Sequence, residues 1–223
     1  MKTAQIIAFK DLLRERFREA QQVRERAAVA ATGIAALDAA GVGGGMITEI
    51  VSAGAGMGAG LLLLALAEAR GEGVRRLVAL VDGADAFDPR SADAATLERL
   101  LWLRCCRDAR KAVRVCDLLL RDGNLPRVLL DLRFHTARDL RGIPANAWHR
   151  LRMLAERSEA ALCVFTPSRI VPCARSRLVM EQGFSLNDLD EPRETLLARL
   201  GGRVERSALR DGRDLADLAV AGG

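Results

Sequence analysis

The chain has 223 residues, half of them hydrophobic, enough to bury a full core as one domain with appendages. Its longest apolar runs, such as 61–67, are too short to span a bilayer, and the opening "MKTAQIIAFKDLLRERF" lacks the apolar centre of a signal peptide, so a cytoplasmic protein without membrane contacts is expected. The net charge of +5 is mostly arginine dispersed among acids, the two histidines complete no ligand pattern and the five cysteines show no C-x-x-C spacing, which argues against a metal site, a disulfide framework and hydrolytic chemistry.

Residues 4–27 read as an amphipathic helix, with Phe9, Leu13 and Phe17 on one face, Ala20 beside them, and charged clusters opposite. A turn signal at Thr32-Gly33, a short helix near Ala35 to Ala40 and a glycine-rich loop follow. From Met46 onward strands and helices alternate. "MITEIVSA" is a strand, 57–70 a helix, 75–82 a strand and 91–106 a helix; "AVRVCD" reads as a short strand before the helix "LLLRDG". Strand 127–132, helix 144–158 and strand 160–167 come next. Beyond Arg175, "RSRLVMEQGFSL" reads as an edge strand, and 193–210 fits either a helix or a hairpin. Strands rich in leucine and β-branched residues, without polar alternation, imply a sheet covered on both faces and therefore a mostly parallel α/β fold.

The stretch "EIVSAGAGMGAG" joins a strand to a helix through glycines, a layout that aims backbone N–H groups at a phosphate. Gly54, Gly56 and Ala59 fit G-x-G-x-x-G/A, and Asp82 ends the following strand where a ribose-binding acid belongs. A dinucleotide-dependent oxidoreductase is therefore one reading, although it leaves the first 45 residues without a role.

A second reading accounts for them. Thr32-Gly33, Leu37-Asp38, Gly44-Gly45 and Glu49-Ile50 precede the turn in the order and near the spacing of the RecA-family core, which the chain resembles over roughly residues 30–180. "VDGADAFDP" resembles that family's second core strand and turn, and "RVLLDL" its Walker B strand, with Asp131 as the acid. Aligned on Glu49 and Ile50, Ser52 stands for the loop's first glycine, Met57 for its last, Gly58 for its lysine and Ala59 for its threonine. The lysine would supply charge at the phosphates and the threonine a metal contact. Ala84 stands for the catalytic glutamate, with Asp85 one residue along and so aimed elsewhere. A pseudo-ATPase with no cofactor is expected, its nucleotide site vestigial at Gly58, Ala59, Ala84 and Asp131.

The resemblance also implies a DNA-entering loop, which here shrinks to "SRIVPCA". The arginines left nearby, Arg169, Arg175 and Arg177 with Arg150, Arg152 and Arg157 on the preceding helix, fit either phosphate or partner contacts. Tyrosine is absent, and Trp102 and Trp148 lie in helical patterns as core, so base stacking has no platform and DNA binding is expected to be weak or absent. A RecA core emptied in this way is similar to the SulA/ImuA family. Membership implies a damage-induced (SOS) accessory protein of translesion synthesis, whose partners are RecA, ImuB and an error-prone polymerase. The alternative within that family is an inhibitor of the division protein FtsZ. Phe17-Arg18-Glu19-Ala20 matches the F-x-x-A anchor of eukaryotic RecA relatives, and fits a partner contact or an intramolecular staple. "FHTA" at 134–137 matches too, but follows a core strand and reads as core packing. The expected organisation is an N-terminal helix (1–30), a degenerate RecA-like core (31–210) and a C-terminal tail (211–223).

Overall fold

A computed structural model describes residues 34–54, 56–69 and 77–206. The N-terminal helix with Phe9, Leu13, Phe17 and Ala20, and the tail from 211, lie outside the described residues. The described chain is α/β, with a seven-stranded sheet flanked by helices, consistent with a RecA-like core. Its elements are α1 (Ala35–Ala40), β1 (Ile47–Val51), α2 (Ala59–Glu68), β2 (Val78–Asp82), α3 (Ala94–Leu97), β3 (Leu100–Arg104), α4 (Ala109–Asp122), β4 (Arg127–Asp131), α5 (Ala137–Arg141), α6 (Ala145–Ser158), β5 (Ala161–Thr166), β6 (Ser176–Met180), α7 (Arg193–Arg199) and β7 (Gly202–Arg206), with 3-10 turns at Pro89–Ser91 and Leu186–Asp190. The strand order is β3-β2-β4-β5-β1-β6-β7. Every pairing is parallel except the last, β6 with β7.

Two apolar layers explain the unbroken hydrophobic strands. Val128 and Leu130 of β4 face α4 and α6, in a cluster that holds Cys116, Leu119 and Leu151. Leu129 faces the other way, into a cluster with Leu37 of α1 and Leu62 and Leu66 of α2. A strand buried on both sides has no polar face to show. Helix α2 is apolar nearly all round for the same reason. Its C-terminal carbonyls are met by arginines: Arg127 donates to Leu66 O (2.6 Å) and Ala69 O (3.2 Å), and Arg99 to Glu68 O (3.2 Å). Cations there satisfy orphan acceptors and oppose the negative end of the helix dipole.

Four sequence expectations need correction. The helix expected over 91–106 is one short turn, α3, followed by strand β3. Leu100, Leu101, Trp102 and Leu103 are an uninterrupted apolar run, which suits a strand lying along β2 better than a helix with one wet face. Trp102 is therefore a strand residue; its Nε1 donates to Asp82 Oδ2 (3.2 Å). Trp148, expected on a helix and in the core, is on α6 and 2% exposed. The strand and helix expected at 112–123 are one helix, α4. Asp108 caps it by accepting from Lys111 N (2.9 Å), and Gly123 closes it at φ 73°. The local V-R-V-C alternation is a short stretch of a helical stripe that buries Ala109, Ala112, Val113, Cys116, Leu119 and Leu120. Strand β6 is not an edge, because it lies between β1 and β7. The FHTA segment is not packed inward: Phe134 is 57% exposed and Ala137 is exposed, because the chain turns out of the sheet at Asp131 and only His135 folds back under.

The cysteines give the first expected result. Burial pushes the thiols of Cys105 and Cys163 up to about 11 and raises those of Cys116 and Cys173, whereas Cys106 is exposed. Thiolate is the reactive form. An aromatic disulfide reagent at neutral pH should therefore titrate one thiol in the folded protein and all five in denaturant. Rapid modification of two or more native thiols would contradict this burial pattern.

Candidate functional site

In parallel α/β sheets, ligands bind at the carboxyl ends of the strands, and the glycine turn sits there, between β1 and α2. Ser52 is anchored by its N–H to Thr166 O (2.9 Å) and by its hydroxyl to Gly54 O (3.3 Å). Gly56 and Gly58 take left-handed conformations, φ 77° and 76°, which residues with a side chain resist. So far this is the geometry of an anion cradle.

The cradle is filled by its own chain. The segment after β6 crosses the turn, and Phe184 N donates to Gly56 O (2.7 Å). A Cβ at Gly58, where the resemblance puts lysine, would lie 2.7 Å from Cε2 of Phe184 and against a methyl of Leu200. The Met57 sulfur lies 3.5 Å from the corresponding position at Gly183, and Met57, Phe184 and Leu200 join the core layer on the α2 side. Two ion pairs hold the segment down: Arg193 forks onto both oxygens of Glu68 at the far end of α2 (2.7 Å each), and Arg199 pairs with Asp188 (2.7 Å) while lying over the Phe184 ring.

Asp188 makes this closure acid-sensitive. The Ser185 hydroxyl (2.7 Å) and N–H (2.6 Å) donate to its carboxylate, and these bonds, with Arg199, hold its titration down at about 2, from an ordinary value of 3.8. A carboxyl titrating lower in the folded state contributes stability that is complete above its unfolded value and lost as pH falls. The stability gap between the protein and its Asp188→Asn variant, read from urea titrations, should narrow as pH drops from 3.8 toward about 2. A gap constant across that window would remove Asp188 from the closure.

The acids are equally committed. Asp131, 3% exposed at the end of β4, receives Arg133 as a two-pronged fork: Nη2 to Oδ2 at 2.7 Å and Nε to Oδ1 at 2.9 Å, with the Arg133 N–H adding a third bond (3.1 Å). The other prong, Nη1, reaches to 3.4 Å from where a Cβ would stand on Gly60, in the first turn of α2. A fixed guanidinium thus sits between the Walker-B-like acid and the glycine turn. Asp82, paired in register with Asp131, accepts from Ala86 N (2.9 Å) and Phe87 N (3.0 Å), which closes its own loop, and from the Trp102 indole of β3. Ala84 is buried there. Asp85, at φ 58°, turns away to Arg104 (3.5 Å) and Cys106 N (3.3 Å). The structure therefore gathers Gly58, Ala59 and Asp131 around one place, with Asp82, Asp85 and Asp131 each engaged by the protein's own donors.

Of the six arginines, Arg169 and Arg177 meet at Glu205 of β7. Arg150 pairs with Asp117 of α4 (2.5 Å), Arg152 with Glu156 one turn along (2.5 Å), and Arg169 with Glu205 of β7 (2.5 Å). Arg177 points inward, its Nε on Glu49 (2.7 Å) and its Nη2 on Val171 O (3.1 Å). Arg157 and Arg175 are exposed. Sequence reading missed Arg133, Phe184 and Leu200, the residues that close the site; only Arg133, two positions after the acid, left a local signal. Among the described residues no helix is long and apolar enough to cross a membrane, and no three His, Cys, Asp or Glu side chains form a metal-binding group. Neither the models of known protein families nor the curated proteins yield a match to this chain.

Proposed function

We propose that the protein is a non-catalytic, RecA-like adaptor in damage-induced mutagenesis, a member of the SulA/ImuA family acting with RecA, ImuB and an error-prone polymerase. The observation that carries this reading is the filled glycine turn. Phe184 and Leu200 occupy the lysine position, and Arg133 holds the acid that would otherwise share a metal. Such a core keeps its shape but offers a nucleotide no room and no charge that is not already spent on Asp131, so its surface is what remains for function. The engagement of Asp82 within its own loop likewise weighs against a dinucleotide enzyme. With Arg150, Arg152, Arg169 and Arg177 each paired to the protein's own acids, DNA contact is weak and driven by salt-sensitive phosphate attraction.

The test is co-purification of the intact chain with RecA and with ImuB. Retention of either supports the adaptor, and retention of neither, or of FtsZ in their place, removes it. The N-terminal segment is the proposed RecA-facing element, because Phe9, Leu13 and Phe17 offer the i, i+4, i+8 anchors of a helix laid in a groove, with Ala20 beside them. A truncation starting near Ala28, and the double change Phe9→Ala with Phe17→Ala, are expected to lose RecA. Folded variants that bind RecA as the intact chain does would assign the contact elsewhere.

A further inference from the structure

On the sheet face opposite the glycine turn, a cavity of about 380 Å³ opens between α5, the start of α6 and the loop after β5. Its walls are Leu140, Ile143, Ile170 and Pro172, with Trp148 also lining it. Trp148 is 2% exposed, yet its indole N–H donates to no described residue. That N–H is not sealed in the core, and Trp148 lines a cavity that an acceptor can enter. The rim is basic. Arg141 is exposed and pairs with no described acid, and Arg169 stands opposite it, paired with Glu205. The adjacent acid, Asp139, is spent in the capping box of α5, accepting from Thr136 N and Oγ1.

We infer that this cavity docks a partner protein through a short acidic segment, with one apolar side chain on the aliphatic walls and a carboxylate taken by the Trp148 N–H and Arg141. The size is that of a built binding pocket, which runs from roughly 300 to 1,000 Å³. The charge complement selects an acid. The walls select protein over nucleic acid, because a base needs an exposed aromatic face to stack on, and the Trp148 ring is covered. The inference rests on the cavity alone and stands or falls separately from the RecA-like reading.

The two tryptophans provide the readout, since Trp102 donates to Asp82 and belongs to the opposite core layer. Indole N–H resonances of the 15N-labelled protein are followed during titration with the acetylated, amidated peptide Asp-Asp-Leu-Phe-Asp-Asp, its all-Asn counterpart and hexathymidylate. The acidic peptide should move the Trp148 signal saturably in the millimolar range or below and leave Trp102 in place. Arg141→Glu, with its Trp102 signal unchanged as proof of folding, should weaken that binding by roughly tenfold or more, the worth of one charge-assisted contact. A Trp148 signal unmoved by millimolar acidic peptide, equal binding of the all-Asn peptide, tighter binding of hexathymidylate, or an Arg141→Glu variant that binds as the parent does would each overturn the inference.

Discussion

Glu49→Ala is expected to destabilise the protein by about 3–5 kcal/mol, the range found when one partner of a buried ion pair is removed. Glu49 lies in the centre of β1 with no exposed surface. Its Oε1 accepts from Thr166 Oγ1 (3.1 Å), Ile170 N (2.8 Å) and Val171 N (3.1 Å), and its Oε2 from Arg177 Nε (2.7 Å). Four donors on one carboxylate tie β1, the end of β5, the following loop and β6 together. Removing it takes the acceptor from Arg177 Nε and from two loop N–H groups, and leaves the guanidinium only Val171 O (3.1 Å) and a longer contact to Glu205 (3.6 Å). Arg177→Met is expected to cost nearly as much, because it strands the carboxylate instead. Glu49→Leu combined with Arg177→Met should cost clearly less than the sum of the two single changes, since neither charge is then left alone. The loss should be legible in urea denaturation midpoints at neutral pH. Single variants within about 1 kcal/mol of the parent, well below what stranding a buried charge costs, would mean that this network contributes little.

Glu49 also shows what a sequence conveys and what it hides. Its place within an apolar strand was legible as part of a motif. Its partners were not, because they come from residues more than a hundred positions away, brought in by sheet order. The same division runs through the fold. Strands β1, β2, β4 and β5 were legible because burial on both faces leaves runs such as "RVLLDL" with no other explanation. Strand β3 was lost inside a helical pattern because leucine runs satisfy both periods when short. Helix α4 was split because its stripe alternates for four residues, although Asp108 and Gly123 marked its ends. At the site, the missing lysine and threonine could be read directly. The replacements could not, since Phe184 and Leu200 reach the turn only after β6 has crossed the sheet. Phe134 misled for a related reason: the last residues of a strand and those a few positions beyond it look alike in composition, but Leu132 is covered and Phe134 is not.

Gly58→Lys, the change that would restore the phosphate-loop lysine, is expected to destabilise the protein and gain no ATP affinity. Two costs add. A left-handed conformation at φ 76° costs a residue with a Cβ about 1–2 kcal/mol, and overpacking against a filled site costs about 1–3 kcal/mol more. The second arises because the new Cβ would meet the Phe184 ring at 2.7 Å and the Leu200 side chain. Both act on the Cβ itself, so Gly58→Ala should show most of the loss. Phe184→Ala in the Gly58→Ala background should recover the Phe184 part of the overpacking share and leave the closer Leu200 contact and the backbone share, which makes the pair non-additive in a double-mutant cycle. Adding Ala59→Thr is expected to change nothing in calorimetric titration with ATP and Mg²⁺. Arg133 still holds Asp131, and Ala84 still lacks a base. A Gly58→Lys, Ala59→Thr protein as stable as the parent and binding ATP in the micromolar range would mean that the segment from Phe184 to Leu200 moves aside freely. The turn would then be a nucleotide site that is merely covered, and the non-catalytic reading would have to be abandoned.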